Sequence, residues 1–206
     1  MIITSPTKLA KIFATIKEKN EEFKKSTKPQ QRVLVAQDVL AQIKAKRYVA
    51  EQGAWTTPTY AEPVLNSGPE ESVQKLFANQ TIRQCNVCAL GGLFMSCTNL
   101  NNNTTVEELD RADENLGDEL EYRGNLSNGL DKIFTNKQLE LIEIYFENGD
   151  GYYGSLTENP ETDHVSLFNN KYTNPQDRLK EIMKNIIENN GTFTPKKLKV
   201  SKDLTY

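Results

Sequence analysis

The sequence predicts a mainly α protein: one compact helical domain with a minor β-hairpin. Three observations carry that expectation. Apolar residues repeat at three- and four-residue spacing in segments near 30–47, 82–97, 135–147 and 174–189. Residues that start and stop helices bracket several of these segments. Strand-compatible residues gather in one short stretch, Tyr48–Thr57, around Gly53.

Taken in order, Ser5-Pro6 reads as a helix start, a hydroxyl N-cap followed by proline at the first helical position. Leu9, Ile12, Phe13, Ile16 and Phe23 then fall mostly on one face, with lysines on the other. Ser26–Pro29 breaks this helix. Residues 1–28 therefore read as an amphipathic edge or assembly element, and 29–206 as the helical core domain. In the second helix Val33, Ala36, Leu40 and Ile43 repeat at helical spacing, widened by Val35 and Val39. Pro58, Pro63, Gly68 and Pro69 make a loop, and Glu70–Asn79 a short helix.

Ile82–Cys97 reads as a single helix. Val87, Leu90 and Phe94 give it a bulky side, and Cys85, Ala89, Gly92 and Ser96 a small one. Gly91 and Gly92 each cost about 1 kcal/mol inside a helix. Close approach of another backbone is the expected offset, which makes this helix the expected centre of the core. Thr105–Glu108 and Thr135–Gln138 have the pattern of capping boxes, and Leu139, Ile142 and Phe146 mark a buried face after the second. Tyr152–Thr173 reads as a long loop with glycine, asparagine and proline breaks. The last helix has Asn174 as N-cap, Pro175 first in the helix and Asp177 in the first turn. Its stripe is Leu179, Ile182, Met183, Ile186 and Ile187, and Gly191 closes it.

A length of 206 residues suits one domain with its own core. No apolar run approaches the roughly 18 residues needed to span a bilayer, so no membrane is expected. The opening residues Met1–Pro6 lack the pattern of a signal peptide, and the cysteines number three, an odd count. The cytosol is the expected compartment. Net charge is −3 but unevenly spread: Lys8–Arg47 holds eleven bases against four acids, and 107–150 thirteen acids against four bases. The first of these segments offers a basic surface to a phosphate-bearing partner.

Cys85-Asn86-Val87-Cys88 has the spacing of a redox pair or half a zinc site. Only Cys97 and the single histidine, His164, are available to complete a zinc set, and no strand signal precedes Cys85. Buried cysteines acting as small hydrophobes are the expectation. One histidine leaves little room for Ser-His-Asp or Cys-His chemistry. Carboxylates across 107–121 can hold a divalent metal for phosphodiester chemistry, though they are too dense to single out a ligand set. No phosphate-cradling glycine loop is present, and no catalytic residue, metal or cofactor is expected. An aromatic and basic group remains. Arg47, Tyr48, Trp55 and Tyr60 surround Gly53, and Tyr152 and Tyr153 lie in a glycine-flanked stretch. Such residues can stack on a base and pair with phosphate, or plug the rim of the core.

Four runs carry a resemblance: Arg32–Gly53, CNVCALGGLFMS at Cys85–Ser96, Phe134–Glu147 and Arg178–Pro195. Together they resemble small uncharacterised proteins of tailed bacteriophages and bacterial mobile elements. The resemblance implies a setting, the cytosol of an infected bacterium, and transfers no activity or site residue. The expected function is that of a non-enzymatic accessory protein, for host takeover or anti-defence. It would bind a host or defence protein, or sequester a small nucleotide ligand. A metal-dependent phosphodiesterase or nuclease using 107–121 is one alternative, and a virion structural protein another. The N-terminal helix offers a route to a homo-oligomer.

Overall fold

The computed structural model describes residues 6–60, 73–78, 81–101, 130–147 and 162–195. Within them the chain runs α1 (Pro6–Lys25), α2 (Lys28–Lys44), β1 (Tyr48–Ala50), β2 (Thr56–Tyr60), α3 (Val73–Ala78), β3 (Ile82–Val87), α4 (Ala89–Asn101), α5 (Asn136–Glu147), α6 (Thr162–Lys171) and α7 (Pro175–Glu188). The mainly α class with a small sheet is what the sequence predicts. The hairpin is not. β3 lies between β1 and β2, parallel to the first and antiparallel to the second.

The 82–97 segment is the source of that difference. Its first six residues are strand, and the helix starts only at Ala89. Cys85 and Val87 point inward at a spacing of two, while Val87, Leu90 and Phe94 also satisfy the helical period. The longer pattern masked the shorter one. Cys88 makes the junction. Its carbonyl accepts from the Gly92 N–H at 2.9 Å, and its Sγ accepts from the Gly91 N–H at 3.3 Å. A thiol thus serves as the N-cap of α4.

α4 is buried on every side from Ala89 to Thr98, as a helix in the middle of a core must be. Gly91 lets the backbone at Trp55 and the Thr56 methyl lie directly against it, so close packing does offset the helix cost. Gly92 faces Val87, Val39 and Leu179 at ordinary contact distance. Around α4 pack α1, α2, α3, α5 and the inner face of the sheet.

α1 docks on this body through Phe23, which is buried, and through Asn20, whose Oδ1 accepts from Gln74 Nε2 at 2.9 Å. Gln74 also donates to the Asn99 carbonyl. The Gln31 side chain donates to the Phe23 carbonyl at 2.9 Å, tying the end of α1 to the start of α2. Only Ser26 and Thr27 separate the two helices. Pro29 is tolerated because it falls in the first turn of α2.

Helices α2 and α7 both end in Schellman motifs. In α7, Asn190 N–H bonds to the Ile187 carbonyl and Gly191 N–H to the Ile186 carbonyl. Asn190 has φ +51° and Gly191 φ +87°, so the C′ residue is Asn190, one place before the expected glycine. In α2, Lys46 N–H bonds to Ile43 and Arg47 N–H to Gln42. Lys46 holds φ +58°, a conformation that costs a side-chain-bearing residue roughly 1–2 kcal/mol. This turn delivers the chain into β1.

Thr135 caps α5, its Oγ1 accepting from Gln138 N–H at 3.3 Å. The Gln138 amide does not close the box. Its Oε1 accepts from the Phe193 N–H at 2.7 Å. Asn185 exchanges two 2.7 Å bonds with the backbone of Thr194, so the segment after α7 is strapped across α5 and α7. Residues 162–171, expected within a long loop, are helical. Val165 and Phe168 are buried, and Tyr145 meets Phe168 and Phe193 edge-on. The Asn174 cap of α7 is as expected, with its Oδ1 accepting from Gln176 N–H at 2.8 Å. Among the described residues no helix is long and apolar enough to cross a membrane. The other expected capping box, at 105–108, lies outside the described residues.

Candidate functional site

Of the six residues singled out in the sequence the structure describes four, and two of these, Tyr48 and Trp55, are buried. Tyr48 is an interior residue, 1 % exposed. Its ring meets Phe77 edge-on, and its hydroxyl accepts from Ser96 Oγ at 3.4 Å. Trp55 is 6 % exposed and its ring lies against Phe94, 5.5 Å between centroids. Tyr60 points inward at the far end of β2 and is half-buried against the core. Tyr152 and Tyr153 lie outside the described residues, as does the acidic segment 107–121. Only Arg47 is placed toward solvent. The physical reason is strand alternation: Tyr48, Thr56, Pro58 and Tyr60 share the inner face.

Tyr48 joins a buried polar group built around Asp38 of α2. Gln42 Nε2 lies 3.2 Å from both carboxylate oxygens, and Asn99 Nδ2 at 3.3 and 3.4 Å. Ser96 also bonds to it, and Lys19 of α1 contributes a more distant favourable charge. Burial pushes the Asp38 carboxyl above its ordinary value of 3.8, and these bonds only partly counter it. The protonated form is therefore favoured by folding. Its stabilising contribution is complete below pH 3.8 and is lost as pH rises through the raised folded value. Asp38→Asn should abolish this part of the pH dependence. The stability difference between variant and wild type, from urea melts at acid and at neutral pH, should shift toward the variant as pH rises. A difference constant with pH would contradict it.

The cysteines are all free and buried. A strand does precede the pair, contrary to the sequence reading, and Cys88 stands where a reactive thiol would, at a helix start. Its environment opposes reactivity. Burial pushes the Cys88 thiol up to about 12, and Glu147 and Glu143 add to the effect against the weaker pull of the Gly91 N–H. Cys97 is also raised to about 12, by burial. His164 lies on α6. Among the described residues no group of three histidine, cysteine or acidic side chains is placed to hold a metal.

The surface that does emerge is the outer face of the sheet. Register puts Val49, Asn86 and Thr57 in one row across the three strands and Gln84 and Thr59 in the next, with Arg47 just before β1, its carbonyl accepting from the Cys85 N–H at 2.7 Å. Val49, Thr57 and Thr59 are exposed, and Arg47, Gln84 and Asn86 partly so. Val49 is the one exposed large hydrophobic among the described residues. The amides are organised: Gln84 Nε2 donates to Asn86 Oδ1 at 3.3 Å, and Asn86 Nδ2 to Glu51 Oε2 at 2.7 Å. At the carboxyl end of β1, Glu147 Oε2 accepts from the Gly53 N–H at 3.0 Å. Burial raises the Glu147 carboxyl, while Gly53 and Arg178 pull it down. The outer edge of β1 is closed by α7, whose Gln176 Oε1 accepts from the Ala50 N–H at 3.0 Å.

The signal for this face was present as alternation, Tyr48 in, Val49 out, Thr56 in, Thr57 out. It became readable only once β3 was known to sit between them. Comparison with protein-family models, curated proteins and solved structures finds no match to this chain.

Proposed function

We propose that the chain is a non-enzymatic accessory protein of the kind carried by bacteriophages, acting by binding a host or defence protein in the bacterial cytosol. The open sheet face supports this reading. A rigid, three-stranded surface of hydroxyls, amides and one exposed valine is backed by a close-packed core, and its side chains stand in fixed register. The nucleotide-sequestering branch draws less support from the described residues, because Tyr48 and Trp55, two of the expected stacking groups, serve the interior. Thiolate chemistry finds no support at Cys88.

Pairing Val49→Arg with Thr57→Arg places two bulky cations on either side of Asn86 without touching the core. Tagged wild-type protein should co-purify a discrete bacterial partner, and the double variant should lose at least about tenfold of it, with an unchanged circular dichroism melt. Retention of the same partner in the same amount would remove the face from the interaction. In the same framework, calorimetry with cyclic di- and oligonucleotides and ADP-ribose derivatives should give no heat. Saturable heat with any of them would restore the nucleotide branch.

A further inference from the structure

The open face is electrically lopsided. Lys44, Lys46, Arg47 and Arg83 converge on the end where β3 begins. The Cys85 N–H bonds to the Arg47 carbonyl at 2.7 Å, which sets the turn carrying Lys46 and Arg47 beside the first residues of β3, where Arg83 lies. Lys44, Lys46 and Arg83 are exposed and Arg47 partly so. Among the described residues none of the four has an ion pair or a side-chain hydrogen bond, whereas Lys25, Lys180 and Lys184 are each paired with an acid of their own helix. The opposite end carries Glu51 and Glu147.

Part of this arrangement is ordinary. Cations at the end of α2 complement its partial negative charge. That does not explain Arg83, which belongs to another element. Nor does it explain Lys46 at φ +58°, the C′ position at which glycine is the common residue. A lysine stands where glycine would sit without strain.

We propose that the partner of this face is an acidic protein segment, whose carboxylates meet Lys44, Lys46, Arg47 and Arg83 while its neutral part lies over Val49, Asn86 and Thr57. This rests on the reading of the face as a binding surface and adds the partner's chemistry. A nucleic acid fits less well. Its charge is continuous along the backbone, so a strand lying along the face would carry phosphates onto Glu51. Among the described residues the face also presents no aromatic ring for base stacking, since Tyr48 and Tyr60 point inward. An acidic loop or strand can confine its charge to one end.

The test uses the full chain and fluorescence anisotropy with two labelled probes, a short poly-glutamate peptide and a single-stranded DNA of equal charge. Poly-glutamate should bind at low ionic strength and weaken as salt rises. Lys46→Gly combined with Arg83→Gln should lower its affinity about tenfold, and Lys132→Gln with Lys137→Gln should leave it unchanged. Lys46→Gly alone should melt higher than wild type, because glycine adopts positive φ without penalty. Tighter binding of the DNA overturns the proposal in favour of a nucleic acid. So does an equal loss in the Lys132/Lys137 variant, an absence of peptide binding at low salt, or a lower melting temperature for Lys46→Gly. None of these outcomes alters the co-purification result for Val49→Arg with Thr57→Arg, so a wrong partner chemistry and a wrong surface remain distinguishable.

Discussion

Gly91→Ala should destabilise the protein by about 3 kcal/mol, a fall of roughly 10 °C in melting temperature for a chain of this size. A methyl at Gly91 would fall inside the Trp55 carbonyl and against the Thr56 side chain. The obstruction is backbone, so no rotamer change relieves it. Either β2 must move off α4 or the helix start must unwind. Either movement breaks the bond from the Cys88 N–H to the Ala54 carbonyl, 2.5 Å long, that anchors the strand-to-helix junction. Gly92→Ala is the matched control. Its methyl would meet Val87, Val39 and Leu179 at 3.5 to 4.0 Å, an ordinary contact. It should be neutral or stabilise by up to about 1 kcal/mol through helix propensity. Urea melts of the two variants side by side check the pair. Equal losses would mean that the glycines serve the helix in some way other than close approach at one of them.

Arg178→Met should cost about 3 kcal/mol. Arg178 is 4 % exposed. Its NH1 donates at 2.7 Å to the Phe146 carbonyl and at 2.7 Å to Asn169 Oδ1, and its NH2 at 3.5 Å to the Thr173 carbonyl. Phe146 lies in the last turn of α5, where carbonyls have no partner within the helix. One side chain of α7 therefore satisfies the end of α5, a side chain of α6 and the loop into α7. Methionine retains the packing against the Phe146 ring, on which the guanidinium lies at 5.8 Å, but leaves three acceptors without a donor. Arg178→Lys should recover less than half of the loss, because an ammonium cannot span the same fork. Thermal denaturation of both variants decides this, and a methionine variant as stable as wild type would show the acceptors to be hydrated.

Much of the fold was legible in the sequence wherever one element carried one signal. Asn174, Pro175 and the stripe from Leu179 to Ile187 needed no tertiary information, because caps and helical period are local. The glycine pair announced a close approach, but the small-residue stripe pointed to Gly92, and the backbone comes in at Gly91. The failures share a cause. Residues Ile82–Val87 satisfy two periods at once, and only the presence of β1 and β2 on either side selects the strand. Once β3 was read as helix, β1 and β2 had no partner but each other, and the hairpin followed. The site inherited the same error. Aromatic identity says that a ring can stack; it does not say which way the ring faces. Tyr48 and Val49 are adjacent, and a strand turns one into the core and the other to solvent. Side-chain type favoured the tyrosine, and geometry presents the valine.

The sheet order has a consequence for biosynthesis. β1 and β2 leave the ribosome first, yet neither has a strand to pair with until Val87 has emerged. At the usual pace of about 5–20 residues per second, the nascent chain spends seconds with two unsatisfied extended segments behind the α1–α2 pair. Proline at position 58, in an outer strand, removes one amide donor from that exposed stretch and makes it a poorer template for intermolecular pairing while it waits.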